Sequence, residues 1–221
     1  MPGQHAFGYP DTGYWKEGCI SYNYDFLTKV MKIPEKDLVY VEDAWAMADM
    51  SAFGPSIETY SKGLEIANSV FMQYTLKDKK VEEFPLKVID VGWGLERLTW
   101  LSNGTPTAYD CVFGDMTHKM IKQAGLKYDK QFFLEYSKIA GALDVVEAEV
   151  KQEREKIAKK LKVDFNELLA LVEPIQALYA IADHSRALAF AITDGGLPSN
   201  SGGGYNLRVV LRRALSFIVR F

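Results

Sequence analysis

The spacing of apolar residues predicts a helix in the N-terminal part of the chain. Asp11 or Thr12 is suited to cap a helix, because short polar side chains accept hydrogen bonds from free backbone N–H groups. Apolar and aromatic residues then recur at helical intervals, at Trp15, Cys19, Tyr22, Phe26 and Val30. This period places them along one side, so we predict a helix with a single buried face.

Runs rich in β-branched and aromatic residues predict strands further along the chain. The candidates are residues 38–41, 65–74 and 86–90. A charged stretch, residues 77–80, separates the last two, and we therefore predict a hairpin there. Gly92-Trp93-Gly94 ends the last strand, and residues 95–101 have a helical composition.

From Asp115 onward the pattern of apolar positions is helical throughout. Residues 164–167 form a capping-box signature before an apolar run, and Pro174 is expected to begin another helix. A loop is predicted over residues 195–200, and a final helix from Tyr205. The sequence thus predicts an α+β fold class, with a mixed domain over residues 1–115 and an all-α domain over 116–221.

Composition adds limits on the class of protein and on its partners. The 221 residues are 48% hydrophobic and 25% charged, as in an ordinary soluble globular protein. A net charge of −3 provides no overall attraction to nucleic acid. However, residues 195–221 carry no acid and four arginines, namely Arg208, Arg212, Arg213 and Arg220. A local basic patch of this kind is typical of an RNA-facing element.

Cysteine and histidine are few and are not spaced as metal ligands. Cys19 and Cys111 lie far apart, and His5, His118 and His184 form no paired motif. We therefore expect no zinc and no other metal site in this segment, and a reducing, cytoplasmic compartment. No apolar run reaches the roughly 18 residues that suggest a membrane helix, so no membrane partner is expected.

The segment with the most chemical information runs from Val88 to Leu98. A predicted strand ends in Asp90, two glycines follow at Gly92 and Gly94, and a helix begins with Glu-Arg. A helix N-terminus favours phosphate, and the Arg97 guanidinium offers a fork for phosphate oxygens. The Asp90 carboxylate is suited to an ammonium group. Taken alone, the same residues are also compatible with an ordinary turn and an exposed ion pair.

Gly-x-Gly-Leu-Glu-Arg-Leu at residues 92–98 resembles the third signature motif of class II aminoacyl-tRNA synthetases. Other stretches resemble the archaeal type of alanyl-tRNA synthetase in particular; these are residues 71–74, 103–110, 182–187 and 197–214. The resemblance covers nearly the whole chain in the expected order. It implies the later half of a class II antiparallel catalytic sheet, followed by an all-α tRNA-recognition domain, with both domains partial.

The resemblance implies part of an alanine–tRNA ligase, which joins alanine and ATP to an adenylate and transfers alanine to tRNA(Ala). ATP would enter as a substrate together with Mg²⁺. Arg97 and Gly94 would bind ATP, whereas Asp90 would hold the amino group of alanine and Gly92 would let alanine lie against the backbone. The walls of a pocket just large enough for a methyl group would be Trp45 and Val70. Core packing is an equally open interpretation of these last two.

For the helical domain, the resemblance implies contacts with tRNA. Asn200 would read a base pair of the acceptor stem, since a carboxamide is suited to base edges in the wide minor groove of RNA. Arg208, Arg212 and Arg213 would bind phosphates. The alternatives are a loop asparagine bonded to its own backbone and a solvated helix face.

The sequence also departs from the family pattern. The first two signature motifs are expected upstream, and the second carries the arginine that clamps the α-phosphate. We therefore expect an internal fragment that is inactive alone and needs the missing upstream catalytic half as a partner. After Trp45, only Gly54-Pro55 and Glu58 match a segment that is richer in glycine in the bacterial version.

Two rival interpretations remain open at this point. One is a non-catalytic tRNA-binding or regulatory module derived from a synthetase, although tRNA binding alone requires neither Asp90 nor Arg97. The other is an unrelated structural α+β protein. The half of a class II sheet that the resemblance implies is expected to leave an unpaired strand edge and an exposed apolar face, which favours aggregation or a partner.

Overall fold

The computed structural model describes residues 1–140 and 150–221. The chain forms two compact units, Met1–Gly104 and Thr105–Phe221. The first unit combines a β-sheet with helices, whereas the described part of the second unit contains only helices. The predicted α+β fold class is therefore confirmed.

The first unit is built on a five-stranded antiparallel sheet with the strand order β1-β5-β4-β3-β2. Its strands are β1 (Gly3–Tyr9), β2 (Leu38–Ala46), β3 (Phe53–Ser61), β4 (Leu64–Lys77) and β5 (Lys80–Trp93). The strands from β2 to β5 follow one another as a meander, and β1 pairs with the other side of β5. The two edge strands of the sheet are therefore β1 and β2.

The turn between β4 and β5 confirms the predicted hairpin. Lys77 pairs with Lys80, and the two residues between them, Asp78 and Lys79, have φ angles of 48° and 63°. Positive φ at both central positions is the conformation of a two-residue turn that matches the twist of antiparallel strands. The charged stretch in the sequence thus lies at an exposed hairpin tip.

Two strands of the sheet were not predicted from the sequence. β1 contains Gly3 and Gly8, and β3 contains Gly54 and Pro55, residue types that are depleted in strands. Ladder hydrogen bonds to β5 and β4 hold these segments extended despite their composition. Local preference was overridden here by tertiary pairing.

The first helix begins later than predicted. α1 spans Lys16–Asp25 and continues as a π-helical turn over Phe26–Val30, whereas the predicted caps Asp11 and Thr12 lie in the preceding turn. The Thr12 hydroxyl donates instead to the backbone oxygen of Phe7 at 3.2 Å. The proposed caps are therefore wrong.

The buried face of α1 also differs from the prediction. Cys19, Asn23 and Leu27 are buried, at intervals of four residues, whereas Tyr22 and Val30 are 58% and 65% exposed. The interval of four indicates that contacts with the sheet rotate the buried stripe away from the predicted one. The π-helical turn changes the phase further, because it holds more residues per turn than an α-helix.

Two apolar clusters lie in the first unit. Cys19 of α1 packs with Phe71, Ile89 and Val91 of the sheet. The second cluster joins Leu27, Ile33, Ile66 and Leu98, the last of which belongs to α2 (Leu95–Asn103). α1 therefore covers the sheet face that carries Phe71, Ile89 and Val91, so polar chemistry is left to the opposite face.

The second unit is helical in its described part. Its helices are α3 (Ala108–Phe113), α4 (Asp115–Gln123), α5 (Lys130–Ala140), α6 (Val150–Leu161), α7 (Phe165–Thr193) and α8 (Gly202–Arg220). Helical structure thus begins at Ala108, before the predicted Asp115. The prediction of helix throughout also includes residues 141–149, which lie outside the described residues. Asp164 caps α7 by accepting from the N–H groups of Asn166 and Glu167.

Pro174 does not begin a helix, contrary to the prediction, but lies inside α7. Interior proline removes one hydrogen bond from a helix and is usually unfavourable there. The neighbouring residues Val172 and Ile175 are buried in the core of the unit, at 3% and 1% exposure. Their burial holds the helix continuous through the proline, so a local breaker is overridden by packing.

A buried carboxylate links α3 to α7 in this unit. Asp110 accepts hydrogen bonds from the hydroxyls of Tyr179 at 2.7 Å and Tyr128 at 2.9 Å, and also from Thr107. Burial raises the pKa of Tyr128 to about 12, and it raises the pKa of Tyr179 as well. Both phenols therefore keep their protons and remain donors to Asp110.

Candidate functional site

The sheet face opposite α1 carries a row of residues that runs across all five strands. Residues directly opposite each other on paired strands share a face. The row is Asp43, Ser56, Val70, Asp90 and His5, on β2, β3, β4, β5 and β1 in turn. The predicted alanine ligands Val70 and Asp90 are therefore direct neighbours.

The next row on the same face contains Gly92, the residue where alanine was predicted to lie against the backbone. Gly92 pairs with Asn68 of β4, and Asn68 pairs with Glu58 of β3. Among the described residues, the side-chain oxygen of Asn68 is buried without a hydrogen-bond partner. The row thus places a glycine, an amide and a carboxylate beside the row that contains Val70 and Asp90.

Trp45 lies further from Asp90 than the other predicted alanine ligands. It is on the edge strand β2, opposite Gly54 and two residues beyond Asp43, which places it on the same face. Neighbouring strands are about 4.8 Å apart, so roughly 10 Å of sheet separates the backbones of β2 and β4. Its side chain is half-buried, whereas Val70 is 6% exposed.

The Asp90 carboxylate contacts a histidine of β1. Its Oδ1 lies 2.9 Å from Nδ1 of His5, and both side chains are partly exposed, at 41% and 50%. Sequence spacing did not indicate His5, because eighty-five positions separate it from Asp90. The pairing of β1 with β5 brings the two together.

Arg97 occupies the first turn of α2 and is anchored to β4. Gly94 is the residue before that helix, and its N–H donates to the Ile66 oxygen at 3.1 Å. The Nη1 of Arg97 lies 2.7 Å from Oε2 of Glu65 and also donates to the Glu65 backbone oxygen at 3.2 Å. The guanidinium is 47% exposed, so part of it remains open to solvent.

A chain of polar contacts places Arg97 on the same sheet face as Val70 and Asp90. Glu65 pairs with Tyr60 of β3, and the Tyr60 hydroxyl donates to Oε2 of Glu58 at 2.7 Å. This hydrogen bond to a carboxylate raises the pKa of Tyr60. Since Glu58 lies in the Gly92 row, Asp90 and Arg97 occupy one continuous polar surface, although each pairs with a different residue.

The residues predicted to contact RNA belong to the second unit, where they lie in α8 and in the loop before it. Asn200 lies in the loop before the helix, and its Oδ1 accepts a hydrogen bond from Nη1 of Arg208. The loop is tied to the first turn of α8 by a bond from the Ser199 N–H to the Gly204 oxygen at 2.9 Å. Asn200 is thus bonded to Arg208, a residue that the sequence had predicted only to bind phosphate.

The basic side chains of α8 differ in their surroundings. Arg208, Arg212 and Arg213 are exposed, and within the described ranges none has an acidic partner at ion-pair distance. Arg220 instead pairs with Glu173 of α7, at 3.3 Å. The predicted phosphate ligands therefore form an uncompensated basic surface on this helix.

The described residues show neither a metal-binding cluster nor a membrane span. No group of three or more His, Cys, Asp or Glu side chains among them is arranged to hold a metal ion. None of the helices in the described ranges is both long enough and apolar enough to cross a bilayer.

Comparison with known proteins places the chain in a family. All of it, residues 1–221, matches the family described as tRNA synthetases class II (A). The chain belongs to that family. The resemblance predicted from the Gly-x-Gly-Leu-Glu-Arg-Leu motif is confirmed, and an unrelated structural protein is excluded.

Several archaeal relatives of this synthetase chain are named alanine–tRNA ligases. It is 41% identical to that of Methanothermobacter thermautotrophicus over 97% of this chain and 24% of the relative. It is 42% identical to that of Nitrosopumilus maritimus, over 96% of this chain and 24% of the relative. For Methanocella arvoryzae the corresponding values are 44%, 100% and 25%. The chain therefore spans about a quarter of the length of the curated relatives it matches.

Proposed function

We propose that this chain supplies part of the alanine- and ATP-binding site of an alanine–tRNA ligase, and part of its tRNA-binding surface. The observation that carries the proposal is the shared sheet face of Val70, Asp90, Gly92 and Arg97. The relatives' names support the choice of alanine and its tRNA as ligands, and membership of the class II synthetase family supports ATP. A polypeptide that carries the first two signature motifs of the family is the proposed partner, and the cytoplasm is the proposed compartment.

Each ligand group has a proposed counterpart in the first unit. The alanine ammonium binds the Asp90 carboxylate, and its methyl group packs on Val70, with Trp45 at the far wall. A pocket of this kind excludes large side chains by size but discriminates weakly against glycine or serine. Gly92 has no side chain of its own, so alanine lies against the backbone there once the flexible Met1 side chain that covers Gly92 in this structure rotates away.

The phosphates of ATP are the proposed ligands of Arg97, beside Gly94. A guanidinium binds phosphate oxygens through two parallel N–H groups, and the helix N-terminus adds a favourable dipole. Glu65 keeps the guanidinium on the sheet face before ATP arrives. The accompanying Mg²⁺ takes oxygen ligands and is often held by one or two carboxylates plus phosphates. Glu65 and Glu58 fit that donor set, because both lie on this face.

Domain roles follow from this assignment. The first unit, close to the proposed residues 1–115, is a partial catalytic domain, and the helical remainder is a partial tRNA-recognition domain. Asn200 reads the acceptor stem, while Arg208, Arg212 and Arg213 contact phosphates. The absence of acidic partners around these arginines in the described residues supports that role.

Alanine binding by isothermal titration calorimetry tests the catalytic part of the proposal. We expect saturable alanine binding, which Asp90→Asn weakens at least tenfold because the ammonium loses its counter-charge. Asp115→Asn, at an exposed acid in the second unit, is the matched control and should bind as the wild type does. Equal binding by all three proteins would contradict the assignment of Asp90.

Catalysis is tested separately by alanine-dependent exchange between ATP and pyrophosphate. The isolated chain is expected to be inactive, because its proposed upstream partner carries the α-phosphate arginine. Robust exchange by this chain alone would disprove that expectation.

Binding of tRNA tests the role of the second unit. We expect Asn200→Ala to reduce the preference for tRNA(Ala) over other tRNAs in a gel-shift assay. Arg212→Ala should weaken the binding of tRNA(Ala) and of other tRNAs by similar factors, because phosphate contacts carry no sequence information. Asn166→Ala, in α7, serves as the control. Identical affinity of the wild type for all tRNAs would refute recognition by Asn200.

A non-catalytic, synthetase-derived tRNA-binding module is the second candidate. It is favoured by the pairing of Asp90 with His5 and of Arg97 with Glu65, which gives each charged group a partner within the chain. Such a module would bind tRNA but not alanine. The calorimetric experiment therefore separates the two functions.

A further inference from the structure

The contact between β1 and the proposed alanine site points to a role for a residue outside the motif. His5 and Asp90 are opposite each other in the β1–β5 ladder, so their side chains emerge side by side on the site face. Nδ1 of His5 is 2.9 Å from Oδ1 of Asp90. Among the described residues, Oδ2 of the same carboxylate has no hydrogen-bond partner. One oxygen is thus occupied and the other is open.

The local backbone determines where the imidazole lies. The imidazole lies over Gly3, because a Cβ atom added there would be 2.5 Å from Nε2 of His5. The Phe7 ring stacks beside it, with centroids 6.4 Å apart. The ring therefore lies between Gly3 and Phe7 along the strand, with Nδ1 directed at Asp90 of β5.

We propose that His5 is a positioning residue for alanine binding, which holds Asp90 so that Oδ2 faces the amino group of the substrate. This inference rests on the proposed function, because it assigns the alanine ammonium to Asp90. His5 need not touch alanine. It acts by selecting one rotamer of the carboxylate and by occupying Oδ1, which restricts the ammonium to Oδ2.

A neutral imidazole with its proton on Nδ1 performs this role without adding charge. A protonated imidazole would compete with the ammonium, because both cations would share one carboxylate. Histidine is the side chain whose charge usually changes between pH 5 and 8, whereas carboxylates and aliphatic amines keep theirs. On this face, the neighbours of His5 on β1 and β5 are Gly3, Phe7, Val88 and Gly92, which carry no titratable side chain, and the side chain of Met1 lies against Gly92. Within the described residues of these two strands, Asp90 is the titratable side chain that contacts His5.

The test is alanine binding to the intact chain by calorimetry between pH 5.5 and 8, with His5→Ala and His5→Asn. The asparagine amide donates from nearly the position of Nδ1 but does not titrate. At pH 8 we expect a loss of about tenfold in affinity for His5→Ala, the size of one charge-assisted hydrogen bond, and less than about twofold for His5→Asn. His118→Asn, at an exposed histidine in the second unit, is the matched control.

The pH profile distinguishes positioning from a structural role. Wild-type affinity should fall towards pH 5.5, whereas His5→Asn should give a flat profile at the wild-type level. If His5→Ala and His5→Asn both retain the wild-type affinity and profile, the inference is overturned while alanine binding at Asp90 stands. If the wild type binds no alanine, the proposed function and this inference both fail.

Discussion

At the residue scale, Asp90 and Arg97 are seven positions apart, and each has a partner that sequence spacing does not identify. Asp90 pairs with His5 of the edge strand β1, and Arg97 pairs with Glu65 of β4. Residue types alone suggested an ammonium site and a phosphate site. Which side chains share those sites depends on strand register, because each partner is remote in sequence.

The two cysteines are predicted to differ in reactivity. Cys19 is fully buried, and burial raises its pKa to about 11, whereas Cys111 is half-buried. Since the thiolate is the reactive form, iodoacetamide at pH 8 should modify Cys111 first and Cys19 only in denaturant. Mass spectrometry of the labelled peptides measures both rates. Cys111→Ser should then show almost no labelling while folded, and equal rates at both positions would contradict the burial of Cys19.

The same thiol contributes to the pH dependence of stability. Its pKa is raised from 9.0 to about 11, so the folded state favours the protonated form. That contribution is complete below pH 9 and is lost as the pH rises towards 11. Urea unfolding at pH 8 and pH 10.5 should show a smaller loss of stability in Cys19→Ser than in the wild type. An equal loss in both proteins would contradict this prediction.

At the element scale, several local signals were outweighed by packing or pairing. Pro174 lies within α7, although proline normally ends or begins helices. β1 and β3 are strands despite their glycine and proline content. The hairpin and the cap at Asp164 were predicted, because turn and cap chemistry depends on residues adjacent in sequence.

Gly54 should be the least replaceable glycine of the sheet. A Cβ atom there would lie 1.8 Å from the backbone oxygen of Phe71, where the register shifts between β3 and β4. We expect Gly54→Ala to lower the free energy of unfolding by about 3 kcal/mol, since backbone cannot move aside cheaply. Urea denaturation followed by tryptophan fluorescence measures this, because every tryptophan belongs to the first unit.

Gly92→Ala is the matched control for this experiment. The nearest atom to its added Cβ would be Sδ of Met1 at 2.9 Å, the far end of a flexible side chain that can rotate away. Gly92→Ala should lower the free energy of unfolding by less than about 1 kcal/mol. Similar losses in both variants would show that Gly54 is not constrained by Phe71.

At the scale of the whole molecule, the sheet has an exposed edge that the sequence had suggested. β2 is the outer strand, and its aliphatic residues Val39 and Val41 are 55% and 43% exposed. An unpaired strand edge with apolar side chains favours pairing with another chain. The proposed upstream partner and self-association would both satisfy this edge.

Self-association through β2 is predicted to depend on Val41. A lysine at an edge strand disfavours pairing, because its charge would have to be desolvated. Val41→Lys should therefore reduce concentration-dependent association in sedimentation velocity experiments. Val30→Lys, which alters an equally apolar but 65% exposed residue outside the sheet, should leave association unchanged. If both substitutions act alike, the edge is not the site of contact.

The sequence by itself determined the fold class, the hairpin, the family and the residue types of the proposed site. The fold class, the hairpin and the residue types depend on short-range chemistry: β-branched runs, helical spacing of apolar positions, turn residues, and the glycine–arginine motif at a strand–helix junction. The family was recognised from the resemblance of several motifs along the chain. Only the tertiary structure decided which face of the sheet is polar and that β1 pairs with β5 as an edge strand. It also decided that His5 contacts Asp90 and that Glu65 contacts Arg97. The physical reason is that strand register joins residues far apart in sequence, through backbone hydrogen bonds that every residue type can make.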